Sequence, residues 1–210
     1  MAAERKTVLL LHGLWMNSYA MLYLAQALDG KGFATESLDY HSMRGTLPEH
    51  VVALADRVAA MSAGTVHLVA HSLGGIVALH YLQGMRDKRI GRVVLLGAPV
   101  GGSQAARTLA GSPAGEWMLG RSIDIWQSHR RPQLDATACV GAIAGSTPFG
   151  LGAMFMDVPE PSDGVVTVEE TRLPGLADHL VLPVSHSGML MSHEVAQQTA
   201  AFLRNGRFDR

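Results

Sequence analysis

The chain has 210 residues, 48% of them apolar and 17% charged, with a formal net charge of −1. That composition describes a packed globule large enough for a substantial core and excludes disorder. The charge balance, with no long Lys/Arg run, gives no electrostatic reason to bind nucleic acid. The single cysteine, Cys139, cannot form an intrachain disulfide and, inside the apolar stretch 138–144, is expected as a buried core thiol.

Thr7 to Leu11 is continuous and apolar and reads as a strand covered on both faces, ending in His12-Gly13. The charged stretch Met1 to Lys6 before it, and the shortness of the apolar run, do not suit a signal peptide. No stretch approaches the ~18 apolar residues of a membrane span, so the default expectation is a cytoplasmic protein. Helical spacing follows over Ser18 to Leu28, with Ser18 as N-cap and Gly30 and Gly32 as a stop. Phe33 to Tyr40 is a second strand, and Pro48 opens a helix that runs to about Met61.

Val66 to Ala70 is the third strand, and from Ile76 an apolar run of helical length continues to about Met85. Only Ala70-His71-Ser72-Leu73-Gly74-Gly75 separates the two, so the chain turns sharply there with Ser72 at the apex. Small residues at Ala70 and Gly74 leave room where strand and helix backbones come closest. This is the pattern of a nucleophile elbow, in which a serine hydroxyl stands at the top of a sheet beside a helix N-terminus. Ala70 replaces the first glycine of the usual G-x-S-x-G form; the plainer reading makes Ser72 an ordinary N-cap.

Ile90 to Leu96 is the fourth strand. Residues 99–135 are less regular: Ser103-Gln104 caps a short helix through Leu109, and 116–125 carries Trp117, Met118, Leu119, Ile123 and Ile125. Packed connectors with an apolar face over the site, or a small mobile lid, are both open. Thr137 to Ala144 is the fifth strand, His179 to Val184 the sixth, and a last helix spans about Ser192 to Leu203. Alternating strands and helices with short links predict an α/β fold: a mostly parallel central sheet with helices on both faces, in one domain over 1–210.

A serine nucleophile needs a histidine to accept its proton, a carboxylate to fix the tautomer, and N–H donors for the oxyanion. In a parallel sheet these belong beyond the carboxyl ends of the strands. Asp163, in Ser162-Asp163-Gly164, is the candidate acid, with Asp157 as runner-up and Asp135 at the wrong end of its strand. His186, in Ser185-His186-Ser187-Gly188, is the candidate base. His193 competes with it from the opening turn of the last helix, His179 belongs at the opposite edge, and His71 is expected to point away from the serine. The backbone N–H groups of Leu14 and Leu73 are the candidate oxyanion donors, and His12 is expected to bond its own loop. Trp15, Met16 and Tyr19 are expected to line a substrate pocket, although each suits plain core packing equally well.

These pieces together resemble the α/β-hydrolase fold, and within it small bacterial lipases and esterases. The matching stretches are Leu11-His12-Gly13-Leu14, the Ala70 to Gly75 elbow, Gly97 to Ser103, Ser162 to Val166 and His186-Ser187-Gly188. The resemblance implies a Ser72–His186–Asp163 triad, an acyl-serine intermediate, no cofactor, no metal, and, in so short a chain, no large cap domain. Carboxylic ester hydrolysis is the expected reaction, on a small apolar or acyl ester. Apolar residues near the proposed site, among them Met154, Phe155 and Met156, favour such a substrate. A thioesterase or acyltransferase would use the same machinery, and a non-catalytic binding module on the same fold is the alternative of another kind.

Overall fold

A computed structural model describes residues 6–111, 119–122, 125, 133–134, 137–149 and 158–210. Six strands, β1 (Thr7–Leu11), β2 (Ala34–Leu38), β3 (Val66–His71), β4 (Ile90–Leu96), β5 (Cys139–Gly145) and β6 (Asp178–Leu182), form one sheet. Their order is β2-β1-β3-β4-β5-β6, and every neighbouring pair is parallel. The helices described include α1 (Leu22–Asp29), α2 (Leu47–Ala60), α3 (Leu73–Gly84), α4 (Gln104–Ala110) and α5 (His193–Asn205). No element among the described residues forms a large cap over the sheet, and no helix among them is long and apolar enough to cross a membrane.

The alternation of side chains along a strand explains why β1 is apolar on both faces after Thr7. Leu9 and Leu11 enter a core shared with Leu54 and Val58 of α2 and Val77 and Leu79 of α3. Val8 and Leu10 enter a second core with Leu24 and Leu28 of α1 and Val195 and Phe202 of α5. The edge strands β2 and β6 are only half-buried over most of their length, which suits Thr35, Glu36 and Asp178 there.

Local chemistry sets the helix starts. The Ser18 expectation is corrected: Asn17 is the cap, its side chain accepting from Tyr19 N, and the turn it opens is a 3-10 turn over Ser18–Met21 before α1. Thr46 and Glu49 form a reciprocal capping box on α2. Ser103 caps α4 and Ser192 caps α5, each through its hydroxyl. Helix α3 begins at Leu73 and not near Ile76, because Gly74 and Gly75 lie within the helix; nearly its whole surface is buried. Cys139 departs from expectation as the half-buried first residue of β5, packed against the α1/α5 core.

The topology selects one place for a site. From β1 the sheet continues on one side to β2 and on the other to β3, so the links leaving β1 and β3 diverge and open a crevice at their carboxyl ends. Leu11 pairs with Ala70, so His12-Gly13-Leu14 and Ser72 emerge side by side.

Candidate active site

Ser72 has φ 54° and ψ −121°, a backbone conformation that non-glycine residues seldom adopt. Its surroundings hold it there. Its N–H donates to the Leu96 carbonyl at 2.9 Å, and its carbonyl accepts from Gly75 N at 2.9 Å. A Cβ on Gly74 would lie 2.7 Å from the His12 carbonyl oxygen, and one on Gly75 would lie 2.4 Å from Ala98 Cβ. Both glycines are therefore required for the helix to leave the strand so abruptly. Ala70 is fully buried, with its methyl in the α2/α3 core, so alanine fits where the usual pattern has glycine.

The three candidate side chains, far apart in sequence, meet here. His186 Nε2 is 3.1 Å from Ser72 Oγ, and His186 Nδ1 is 2.7 Å from Asp163 Oδ2. Asp163 is 1% exposed. Its other oxygen, Oδ1, accepts from Val165 N at 3.0 Å and Val166 N at 2.8 Å. One carboxylate oxygen thus closes the Asp163-Gly164 turn while the other faces the imidazole. Because an ionised carboxylate only accepts, the Nδ1 facing it carries the proton and Nε2 presents a lone pair to the serine hydroxyl. The His186 N–H also donates to the Asp163 carbonyl at 3.0 Å, tying the two loops together by main chain as well.

Two glycines make this pairing possible. Gly97, at φ 54°, would with a Cβ come within 3.0 Å of Asp163 Oδ2 and 3.1 Å of His186 Nδ1. A Cβ on Gly145 would lie 2.3 Å from the Val184 carbonyl oxygen and 2.7 Å from Asp163 Cβ. In the sequence Gly97 opens the matching stretch Gly97 to Ser103, and Gly145 follows the apolar run to Ala144. Their position immediately after β4 and at the last residue of β5 is the signal that could have found them.

Leu73 is the first residue of α3, so its N–H has no acceptor within the helix and points out at the helix N-terminus. Gly13 passes so close that a Cβ there would touch Ser72 Cβ and His71 Nδ1, each at 3.0 Å. The Leu14 and Leu73 side chains belong to one apolar cluster with Ile76, Leu119 and α4 residues Ala106 and Leu109. The described part of 99–135 therefore packs against the helix that carries Ser72. Residues 119–122 dock below it: Arg121 N donates to the Met43 carbonyl at 3.1 Å and Ser122 Oγ to the Ser42 carbonyl at 2.6 Å.

The expected pocket residues divide. Met16 is half-buried against the α1/α5 core. Trp15, at φ 59°, is 57% exposed, and Tyr19 is 80% exposed on the 3-10 turn, too open to wall an enclosed pocket. Met154, Phe155, Met156, Asp157 and Asp135 lie outside the described residues.

The other histidines fall elsewhere. His193 opens α5 on the surface, and His179 Nε2 meets Thr171 Oγ1 at 2.8 Å. His12 is fully buried; its Nδ1–H donates to the Gly13 carbonyl at 2.9 Å while its ring stacks on Tyr40 at 4.3 Å. Tyr40 Oη in turn donates to the His12 carbonyl at 2.6 Å, and burial keeps His12 below the ordinary histidine range, hence neutral. His12 Nε2 lies 3.9 Å from Asp39, and between a neutral imidazole and an exposed carboxylate that contact is weak. His71 bonds the His186 main chain through Nε2 at 3.0 Å, with its ring 4.7 Å from the His186 ring. Among the described residues no group of three or more His, Cys, Asp or Glu could hold a metal.

A hydroxyl with a base poised on it, a carboxylate behind the base and a helix N-terminus beside it are parts that acyl transfer uses. Comparison with known proteins bears on the family and the fold. A family model described as "Alpha/beta hydrolase family" matches residues 8–204. The structure is similar to a mature-form lipase from Bacillus licheniformis (TM-score 0.75, 19% identity, covering 97% of this chain and 93% of that one). It is also similar to a metagenomic carboxyl esterase (TM-score 0.72, 17% identity, 97% and 76% covered). A third similar structure is a carboxylesterase from Bacillus subtilis (TM-score 0.57, 16% identity, 97% and 85% covered). At these identities the likeness speaks to the fold. Among curated protein sequences no match was found.

Proposed function

The chain belongs to the alpha/beta hydrolase family, and from that premise we propose that it is a serine hydrolase cleaving carboxylic esters through an acyl-serine intermediate. The observation that carries the reading is the unbroken relay from Ser72 Oγ to His186 Nε2 at 3.1 Å and from His186 Nδ1 to Asp163 Oδ2 at 2.7 Å. We read residues 1–210 as a single hydrolase domain.

In this mechanism Ser72 Oγ attacks the ester carbonyl carbon as its proton passes to His186 Nε2. The carbonyl oxygen becomes an oxyanion and accepts hydrogen bonds from the Leu14 and Leu73 N–H groups. The tetrahedral intermediate collapses, the C–O bond to the alcohol breaks, and Nε2 returns the proton to the departing alkoxide. Water then attacks the acyl-serine with His186 as base and releases the acid. Asp163 stays ionised throughout, holding Nδ1–H and stabilising the imidazolium that forms twice per turnover. Its near-complete burial lets that attraction act with little screening. The apolar cluster of Leu14, Leu73, Ile76 and Leu119 beside the serine favours an apolar acyl or alkyl group.

The test is a series of p-nitrophenyl esters of increasing acyl length, each compared with a thioester of equal length. Hydrolysis of the esters that disappears in Ser72→Ala supports the proposal. Preference for the thioester moves the reading to a thioesterase. No turnover of any member contradicts it and leaves a binding module on a hydrolase fold.

A further inference from the structure

His71 precedes the proposed nucleophile, yet the reaction scheme gives it no task. It is fully buried, which is a costly place for an imidazole unless it is bonded. Its Nε2 lies 3.0 Å from the main-chain carbonyl oxygen of His186, and its ring sits 4.7 Å from the His186 ring, tilted by 48°. A carbonyl oxygen only accepts, so Nε2 carries the proton and donates. On the other side of the ring, Nδ1 faces Gly13, where a Cβ would approach to 3.0 Å, and has no hydrogen-bond partner among the described residues.

The main chain of residue 186 is therefore held from both directions: its N–H by the Asp163 carbonyl, its C=O by His71. The next residues, Ser187 and Gly188, add no side-chain hold: Gly188 carries no side chain and Ser187 makes no side-chain cap on the 3-10 turn that follows, its carbonyl accepting from Leu190 N at 3.2 Å. We propose that His71 is a positioning residue: its Nε2–H clamps the carbonyl of residue 186 and its ring packs on the imidazole, fixing the base at hydrogen-bond distance from the Ser72 hydroxyl. The same ring wedges against Gly13, so the nucleophile turn, the base loop and the oxyanion loop share one buried contact. Burial holds His71 well below the ordinary histidine range, so the imidazolium that forms on His186 meets no like charge from this neighbour. The proposal rests on the serine-hydrolase reading above.

The experiment compares His71→Gln, His71→Asn and His71→Leu with the parent chain on one p-nitrophenyl ester, with kcat and KM separated and the melting temperature recorded for each. A glutamine amide reaches the place of Nε2 and can donate to the carbonyl of residue 186; an asparagine amide is too short. The expected result is a kcat loss of about 10²-fold in His71→Asn and His71→Leu with KM little changed, as for a misplaced catalytic group. His71→Gln should recover most of that loss at a melting temperature close to that of His71→Asn. Equal kcat in His71→Gln and His71→Asn overturns the proposal, as does a loss that appears in KM alone. If His71→Leu fails to fold, the Gln and Asn pair still decides. If the parent chain itself does not turn over the ester, it is the hydrolase reading that fails, a result distinguishable from the other two.

Discussion

His67 and His71 lie on the same strand and the same face of β3, and both are buried. Burial pushes both below the ordinary histidine range, His67 to about 4. They differ in which end of the strand they occupy. His67, at the amino end, accepts a hydrogen bond from Arg92 N at 2.8 Å, where the pairing of β3 and β4 shifts register. His71, at the carboxyl end, bonds the loop that carries His186. Residue type, burial and charge state are alike in the two; position along a parallel strand is what separates a structural histidine from one beside the reacting atoms.

That contrast yields a ranked set of tests: changes at the carboxyl ends should move rate, and changes at the amino ends should move stability. The largest effect belongs to Ser72→Ala, which should lower kcat by about 10⁵- to 10⁶-fold while leaving the fold intact. Asp163→Asn should lower it by about 10⁴-fold, because an amide facing Nδ1 releases the imidazole tautomer that offers its lone pair to the serine. Gly97→Ala should reduce kcat by about 10²-fold, since its methyl would displace the Asp163–His186 pair. Each is read from steady-state kinetics on the best aryl ester.

The smaller effects test the other end of the strand. His67→Asn retains an acceptor for Arg92 N but loses ring packing, and should cost about 1–2 kcal/mol in urea unfolding with kcat unchanged. A loss of kcat there would break the comparison. The pH dependence of stability follows from the same burial. In the unfolded chain these histidines protonate near their ordinary value of about 6.5, whereas the fold holds His12, His50, His67 and His71 below it, mainly by burial. Between these values the unfolded state binds more protons, so stability is fully present above the unfolded value and declines as pH falls from about 6.5 toward 4. Urea midpoints at pH 7, 6 and 5 should fall in that order, and His67→Asn should flatten the fall.

Much of the site was legible in the sequence because its parts sit at local punctuation. The runs Thr7 to Leu11 and Val66 to Ala70 end in His12-Gly13 and at the Ser72 turn, and strand alternation with helices fixes which ends gather. Asp163 and His186 were readable from the same logic. What could not be read depends on partners distant in sequence. Gly97 is glycine because Asp163 and His186 crowd it, and His71 finds its acceptor in a loop more than a hundred residues away. Boundaries slipped where a local choice was close: Asn17 took the cap expected of Ser18, and Gly74-Gly75 entered α3 although isolated glycines read as a turn. Cys139 was misjudged because an apolar neighbourhood in sequence does not show that a residue begins its strand at the sheet's end.

The most direct measurement is labelling of the intact protein with a fluorophosphonate, followed by mass mapping of the adduct. A single phosphonyl group on Ser72, formed much more slowly in His186→Ala and absent in Ser72→Ala, is the result that a primed serine requires. A protein that stays unmodified, or one that carries the adduct equally well without the Ser72 hydroxyl, would contradict the account.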